Sequence, residues 1–190
     1  CLGTPTWFNN TSNTNQWNPI MKYKWEYSNI YKDSLPVSSY LFSAPGFYDV
    51  KHTSTTLNGC SNSIIKPVKV SYIPDANFLN PETCLNTTYT LTDASQIEYD
   101  TINIVKWYID GSYFSSGSHA NINFPQSGSY NIKQIVVSNE NCSDTISKTV
   151  VVHPVPISNF IYAFDEQTVG NLIHFTNTSI GSTSYFWDFS

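Results

Sequence analysis

The chain has 190 residues, of which only 12% are charged, with no arginine and a formal net charge of -5. A nucleic-acid binder needs clustered cations to displace counterions from phosphate, so that class is set aside, and no apolar run approaches the roughly 20 residues of a membrane-spanning helix. Ser, Thr and Asn make up about a third of the chain and aromatics 15%, the composition of a hydroxyl- and amide-coated folded β protein and not of a disordered chain.

The first stretch that repeats is an Asn-Phe segment, Asp75-Ala76-Asn77-Phe78 and again Ile157-Ser158-Asn159-Phe160, with no copy before Cys1. The next predicted strand places Phe8, Leu91 and Phe175 towards the core, and in each copy a polar turn ending in Ser follows it. Cys1 and Cys84 precede this core position at one and the same spacing. A third strand alternates with period 2, with Tyr23, Trp25 and Tyr27 on one face and Lys22, Lys24 and Glu26 on the other. Its copies are Val105, Trp107 and Ile109, then Tyr185, Trp187 and Phe189. A Trp flanked at i±2 by apolar neighbours reads as a central core residue.

Weaker strands are expected near residues 30–31 and 38–43, with counterparts near 113–114 and 120–124. A Gly-x-Tyr turn comes next, with Tyr48 as far beyond Trp25 as Tyr130 is beyond Trp107, and each opens a strand, running to Thr56 and Ser138. The last strand holds Val68 and Val70, then Val150 and Val152. Gly46, Tyr48 and Cys60 recur at a single constant offset, as Gly128, Tyr130 and Cys142. Short alternating segments divided by Gly, Pro, Asn and Ser are the signature of a β-sandwich. The predicted architecture is all-β, in tandem sandwiches: residues 1–73 (first strand missing), 74–155, and the N-terminal half of a third unit at 156–190. The predicted core is Phe8, Trp25, Tyr48, Leu91, Trp107, Tyr130 and Trp187. Because the chain starts and stops out of phase with its repeat, it reads as a window on a longer polypeptide.

Pro45-Gly46-Phe47-Tyr48-Asp49-Val50 and Trp187-Asp188-Phe189 resemble motifs of the PKD (polycystic kidney disease) domain, an immunoglobulin-like β-sandwich found in tandem in secreted and cell-surface proteins. The resemblance covers essentially the whole chain, and departs from the family at the Gly-Asp-Gly turn, where Trp25-Glu26-Tyr27-Ser28-Asn29 and Trp107-Tyr108-Ile109-Asp110-Gly111 stand instead. Paired cysteines in Asn/Ser/Thr-rich repeats are most similar to giant surface adhesins and type IX secretion cargo of Bacteroidota, including gliding-motility adhesins. The resemblance implies an extracellular, cell-surface location and a non-catalytic role in a stalk, beside neighbouring repeats of the same chain. The alternative is an accessory carbohydrate- or protein-binding module of a secreted hydrolase.

Nothing points to an enzyme. His52, His119, His153 and His174 lie on different elements without metal-ligand spacing, and His52 falls on the core-facing side of its strand. There is no phosphate loop, Gly-x-Ser-x-Gly elbow or Cys-x-x-Cys. No cofactor is expected. Asp110 and Asp188, near turns, could join a hard-cation site but read more simply as turn residues satisfying their own backbone, so no metal is assigned. Asn-x-Ser/Thr sequons at Asn9, Asn10, Asn86, Asn141 and Asn177 are expected by chance in this composition. Ser34, Thr101 and Thr145 each follow Asp and precede an apolar residue, the O-glycosylation pattern of Bacteroidota. Trp7, opposite in parity to Phe8, and Trp17, in the Asn-rich loop 13–18, are candidate contacts for a surface glycan or a protein, since an exposed ring can stack on a sugar face. Packing on a neighbouring module is the competing account.

In an immunoglobulin-like sandwich consecutive strands alternate in direction, so the second and sixth run the same way. Cys1 before one and Cys60 after the other then lie at opposite ends, roughly 25 Å apart at about 3.3 Å per residue, whereas a disulfide needs Cα atoms within about 7 Å. A bridge between repeats, Cys1 to Cys142, is expected, with Cys60 and Cys84 directed to units outside the chain. The within-repeat pairing, Cys1 with Cys60 and Cys84 with Cys142, is the alternative.

Overall fold

A computed structural model describes residues 1–14, 16–79, 82–164 and 173–189. All regular structure among them is β: β1 (Thr6–Asn9), β2 (Ile20–Tyr27), β3 (Ile30–Asp33), β4 (Val37–Tyr40), β5 (Gly46–Thr56), β6 (Ser61–Val70), β7 (Phe78–Leu79), β8 (Thr83–Cys84), β9 (Tyr89–Asp93), β10 (Ile102–Ile109), β11 (Ser112–Ser116), β12 (His119–Ile122), β13 (Gly128–Ser138), β14 (Ser143–His153), β15 (Phe160–Phe164) and β16 (Ile173–Asn177). By packing, the chain divides into two compact units. One comprises Cys1–Ala76, Ser95–Val105 and Ile135–Thr145; the other comprises Asn77–Ala94, Lys106–Gln134 and Ile146–Ser190.

In the first unit a four-stranded sheet, ordered β3-β2-β5-β6, faces a two-stranded sheet, β1-β4. The turn between β2 and β3 is the two-residue pair Ser28-Asn29, both at positive φ (45° and 65°), the conformation whose twist matches that of a right-handed hairpin. The period-2 pattern of β2 buries Trp25 and Tyr27 and leaves Met21, Lys22 and Lys24 outside. These two rings, with Phe42, Val50 and Val70, form the core, and Phe8, Tyr40, Tyr48 and Val68 pack partly buried against it.

The second repeat follows the same plan, with sheets ordered β11-β10-β13-β14-β8 and β12-β9-β7. Asp110-Gly111 makes the β10–β11 turn, again with both φ positive (48° and 84°). Trp107 and Leu91 are fully buried. β8 joins β14 in parallel, pairing Thr83 with Val152 and Cys84 with His153, and the described ladders are otherwise antiparallel. Two facing sheets of this order, with a Gly-x-Tyr corner in each copy, make an immunoglobulin-like β-sandwich. Gly46 and Gly128 stand at φ near +150°, where a side chain is strained. Tyr48 Oη donates to Ala44 O at 2.7 Å and Tyr130 Oη to Gln126 O at 2.9 Å, the tyrosine corner of such sandwiches.

Four predicted core positions differ from expectation. Phe8, Tyr48 and Tyr130 are half-buried: the tyrosine hydroxyls must reach surface carbonyls, and each ring packs on a phenylalanine, Tyr48 on Phe42 and Tyr130 on Phe124, both at 4.4 Å, and not on Trp25 or Trp107. Trp187 is also only half-buried, and residues 184–189 form no ladder. A residue outside a ladder lacks the flanking strands that cover a central core position. Phe160, Phe175, Tyr185 and Phe189 gather round Trp187, yet Phe160 and Phe189 stay exposed.

Candidate functional site

Two features of the first unit go beyond packing. The first is a covalent junction. Cys1 and Cys142 are joined by a disulfide with Cα atoms 5.5 Å apart. Leu2 N donates to Ser71 O, which fixes Cys1 just past the C-terminal end of β6, whereas Cys60 directly precedes the N-terminal end of that strand. Ten residues of strand at about 3.3 Å each hold Cys1 and Cys60 roughly 33 Å apart, so the bond between them cannot form. Cys60 and Cys84 are exposed thiols. Around the disulfide, Lys69 Nζ pairs with Glu140 Oε1, Tyr72 packs on Tyr99 at 5.4 Å, and Glu140 N and Thr101 N both donate to the Asp100 carboxylate. These bonds, the one from Thr101 N first, hold Asp100 below the usual carboxylate range.

The second feature is a groove of about 740 Å³ lined by residues that include Trp7, Phe8, Trp25, His52, Lys66 and Val68. It follows the free edge of β1, whose only ladder partner among the described residues is β4. His52, 7% exposed, lies 4.1 Å from the Trp25 ring, and its Nε2 has no hydrogen-bond partner among the described residues. Burial pushes its pKa down. At the equivalent place in the second repeat, Gln134 Nε2 donates to Asp93 Oδ1 at 2.7 Å.

The sign of the His52 effect is set by which state binds the proton first. The unfolded imidazole titrates near pH 6.5 and the folded one lower, so below about pH 6.5 the unfolded chain takes up a proton that the native chain refuses. Stability therefore falls as pH drops through that value, until the folded pKa is reached. Thermal midpoints measured from pH 7.5 down to pH 5 should decline, and His52→Gln, which installs the second repeat's residue, should flatten the decline. An unchanged slope in the variant would remove His52 as its source.

Trp7 (69% exposed) and Trp17 (83% exposed) both present their rings to solvent. The structure does not bring them together at the groove, since Trp7 lines it and Trp17 is not among the lining residues. Ser34, Thr101 and Thr145 are exposed. The aspartates before them each accept a backbone hydrogen bond, Asp33 from Leu35 N, Asp100 from Thr101 N and Asp144 from Ala76 N. Asp110 stands in the β10–β11 turn, but its carboxylate accepts from Asn131 N of the neighbouring strand β13 at 2.9 Å, a bond across the sheet and not one to its own turn. No cluster of three or more His, Cys, Asp or Glu suited to a metal is found among the described residues, and no helix there is long and apolar enough to cross a membrane. Phe42 and Phe124, buried at 4% and 5% exposure, are core residues that the predicted core omits: both fall within the weaker strands expected at 38–43 and 120–124, and lie just past the ends of β4 and β12.

No family model matches the chain, and no curated protein matches it. Among solved structures, the chain is similar to the fibronectin(III)-like modules of CbhA from Clostridium thermocellum, at 16% identity and a TM-score of 0.47, over 80% of this chain and 87% of that one.

Proposed function

We propose that the chain is a run of non-catalytic PKD-like repeats, 1–73, 74–155 and 156–190, in the stalk of a large secreted cell-surface adhesin, of the kind used in gliding motility and carried by type IX secretion. The observation that carries the reading is the disulfide from the first residue of one repeat to Cys142 of the next, which suits an array under tension, outside the reducing cytosol. Its partners are neighbouring repeats of a longer chain.

Pulling on the two ends by single-molecule force spectroscopy tests it. With the bond intact, the 141-residue separation it spans should stay shielded from extension. Reduction should release roughly 500 Å of additional contour at about 3.5 Å per residue. Equal extension with and without reductant would sink the mechanical role.

Exposure of Trp7 and Trp17 favours a second reading, an accessory carbohydrate-binding module. A glycan array that is blank for the chain, with Trp7→Ala changing nothing but solubility, removes its local support.

A further inference from the structure

The first two repeats differ on the outer face of the larger sheet. In the first, β2 and β5 bring Lys24, Glu26 and Lys51 together there. Glu26 is opposite Lys51 in the ladder, and its carboxylate lies 2.9 Å from Lys24 Nζ and 3.7 Å from Lys51 Nζ. The two ammonium groups, Lys24 first, hold that carboxyl below the usual carboxylate range. The second repeat keeps both cations at the same offset, as Lys106 and Lys133, and has Tyr108 in the place of Glu26. Lys133 Nζ stands over the Tyr108 ring, 5.3 Å from its centre. Tyr108 is opposite Tyr113 in the ladder, and the two rings meet edge-on at 5.7 Å.

Lys106 is exposed, with the exposed Ser116 opposite it, and Tyr113 is 60% exposed. Among the described residues neither lysine has a carboxylate within ion-pair distance. Asp110, just past β10, already accepts from Asn131 N. We propose that this face of the second repeat binds an acidic polysaccharide, a chain of uronic acid units, with its carboxylates at Lys106 and Lys133 and a sugar ring on Tyr113. The first repeat is the template, because the same two cation positions there hold a carboxylate supplied from within the chain. Complementary charge alone would accept any anion. The exposed ring selects a sugar, whose C–H face can stack on it, over an acidic peptide. Lys133 is held over Tyr108 by cation–π attraction, so less side-chain freedom is lost on binding. The site uses other residues than Trp7 and Trp17, and it holds whether or not the repeats form a stalk.

The probe is a hexamer of galacturonic acid, titrated into the whole chain by calorimetry at low salt. Two controls accompany it: its methyl ester, which keeps the rings and loses the charge, and a glutamate hexapeptide, which keeps the charge and has no ring. Saturable binding of the free acid alone is expected, weakening several-fold between about 0.02 M and about 0.3 M salt as screening shortens. Lys106→Ala with Lys133→Ala should weaken it at least tenfold, and Tyr113→Ala several-fold. Tyr108→Glu, which installs the first repeat's residue, should abolish it by filling the site from within, with the circular dichroism unchanged. Equal binding of the ester or of the hexapeptide, no binding at millimolar hexamer, or undiminished binding by the folded double lysine variant overturns the proposal. So does a loss of binding in Trp7→Ala, which would place the contact in the first repeat.

Discussion

Trp107→Ala is expected to destabilise the second repeat by about 3–5 kcal/mol, the range for removing a large buried aromatic side chain. The side chain has no exposed surface, so its whole volume becomes a cavity among residues that relax only in part. Two specific interactions go with it. Phe78 loses the ring it stands on, and Gly117 O loses the indole N–H that donates to it at 2.8 Å, an acceptor left without that partner. Trp107→Phe retains most of the burial and loses the hydrogen bond, so a smaller cost, about 1–3 kcal/mol, should separate the two contributions. Urea unfolding followed by circular dichroism measures both, and a Trp107→Ala cost below about 1 kcal/mol would deny this ring its central place.

Trp25 makes the comparison informative. It has the same indole bond, to Leu35 O at 2.9 Å, and an equivalent place against β5, but one side lines the groove. A side chain already partly in contact with solvent loses less when truncated. Trp25→Ala should therefore cost less than Trp107→Ala in the same urea unfolding measurement.

Much of the fold can be read from the chain because repetition filters chance. A single Trp between apolar neighbours is ambiguous, whereas Trp25 and Trp107, each followed at the same spacing by a Tyr of a Gly-x-Tyr turn, must share one geometry. Period 2 then assigns faces correctly for Trp25 and Tyr27, and for Val150 and Val152. Phe42 and Phe124 continue the alternation of β4 and β12 past the observed ends of those strands, so period 2 agrees with their burial although the predicted core omits them, and the same periodicity, blind to whether a ladder forms, overstates the burial of Trp187. The groove is half legible. The core-facing parity of His52 and the opposite parity of Trp7 and Phe8 are visible in the sequence, but Lys66 reads as one more surface lysine until the groove that it lines is seen.

Removing the Cys1–Cys142 crosslink, as Cys1→Ala with Cys142→Ala, is expected to cost about 2–4 kcal/mol. The bond closes a loop with a sequence separation of 141, and long loops gain most from crosslinking because the unfolded chain loses more freedom. Alanine suits both sites: Cys142 is buried, where a serine hydroxyl would need a partner, and Cys1 is exposed. The surroundings will not replace the bond. Lys69–Glu140 is half exposed at both ends, and a pair of that kind contributes about 0–1 kcal/mol. For a chain of this size such a loss corresponds to a midpoint lower by roughly 5–15 °C. Calorimetry of the variant and of the reduced parent should agree. A reduced parent that melts with the oxidised one would mean that the non-covalent contacts at the junction already hold it, and that the disulfide adds nothing at equilibrium.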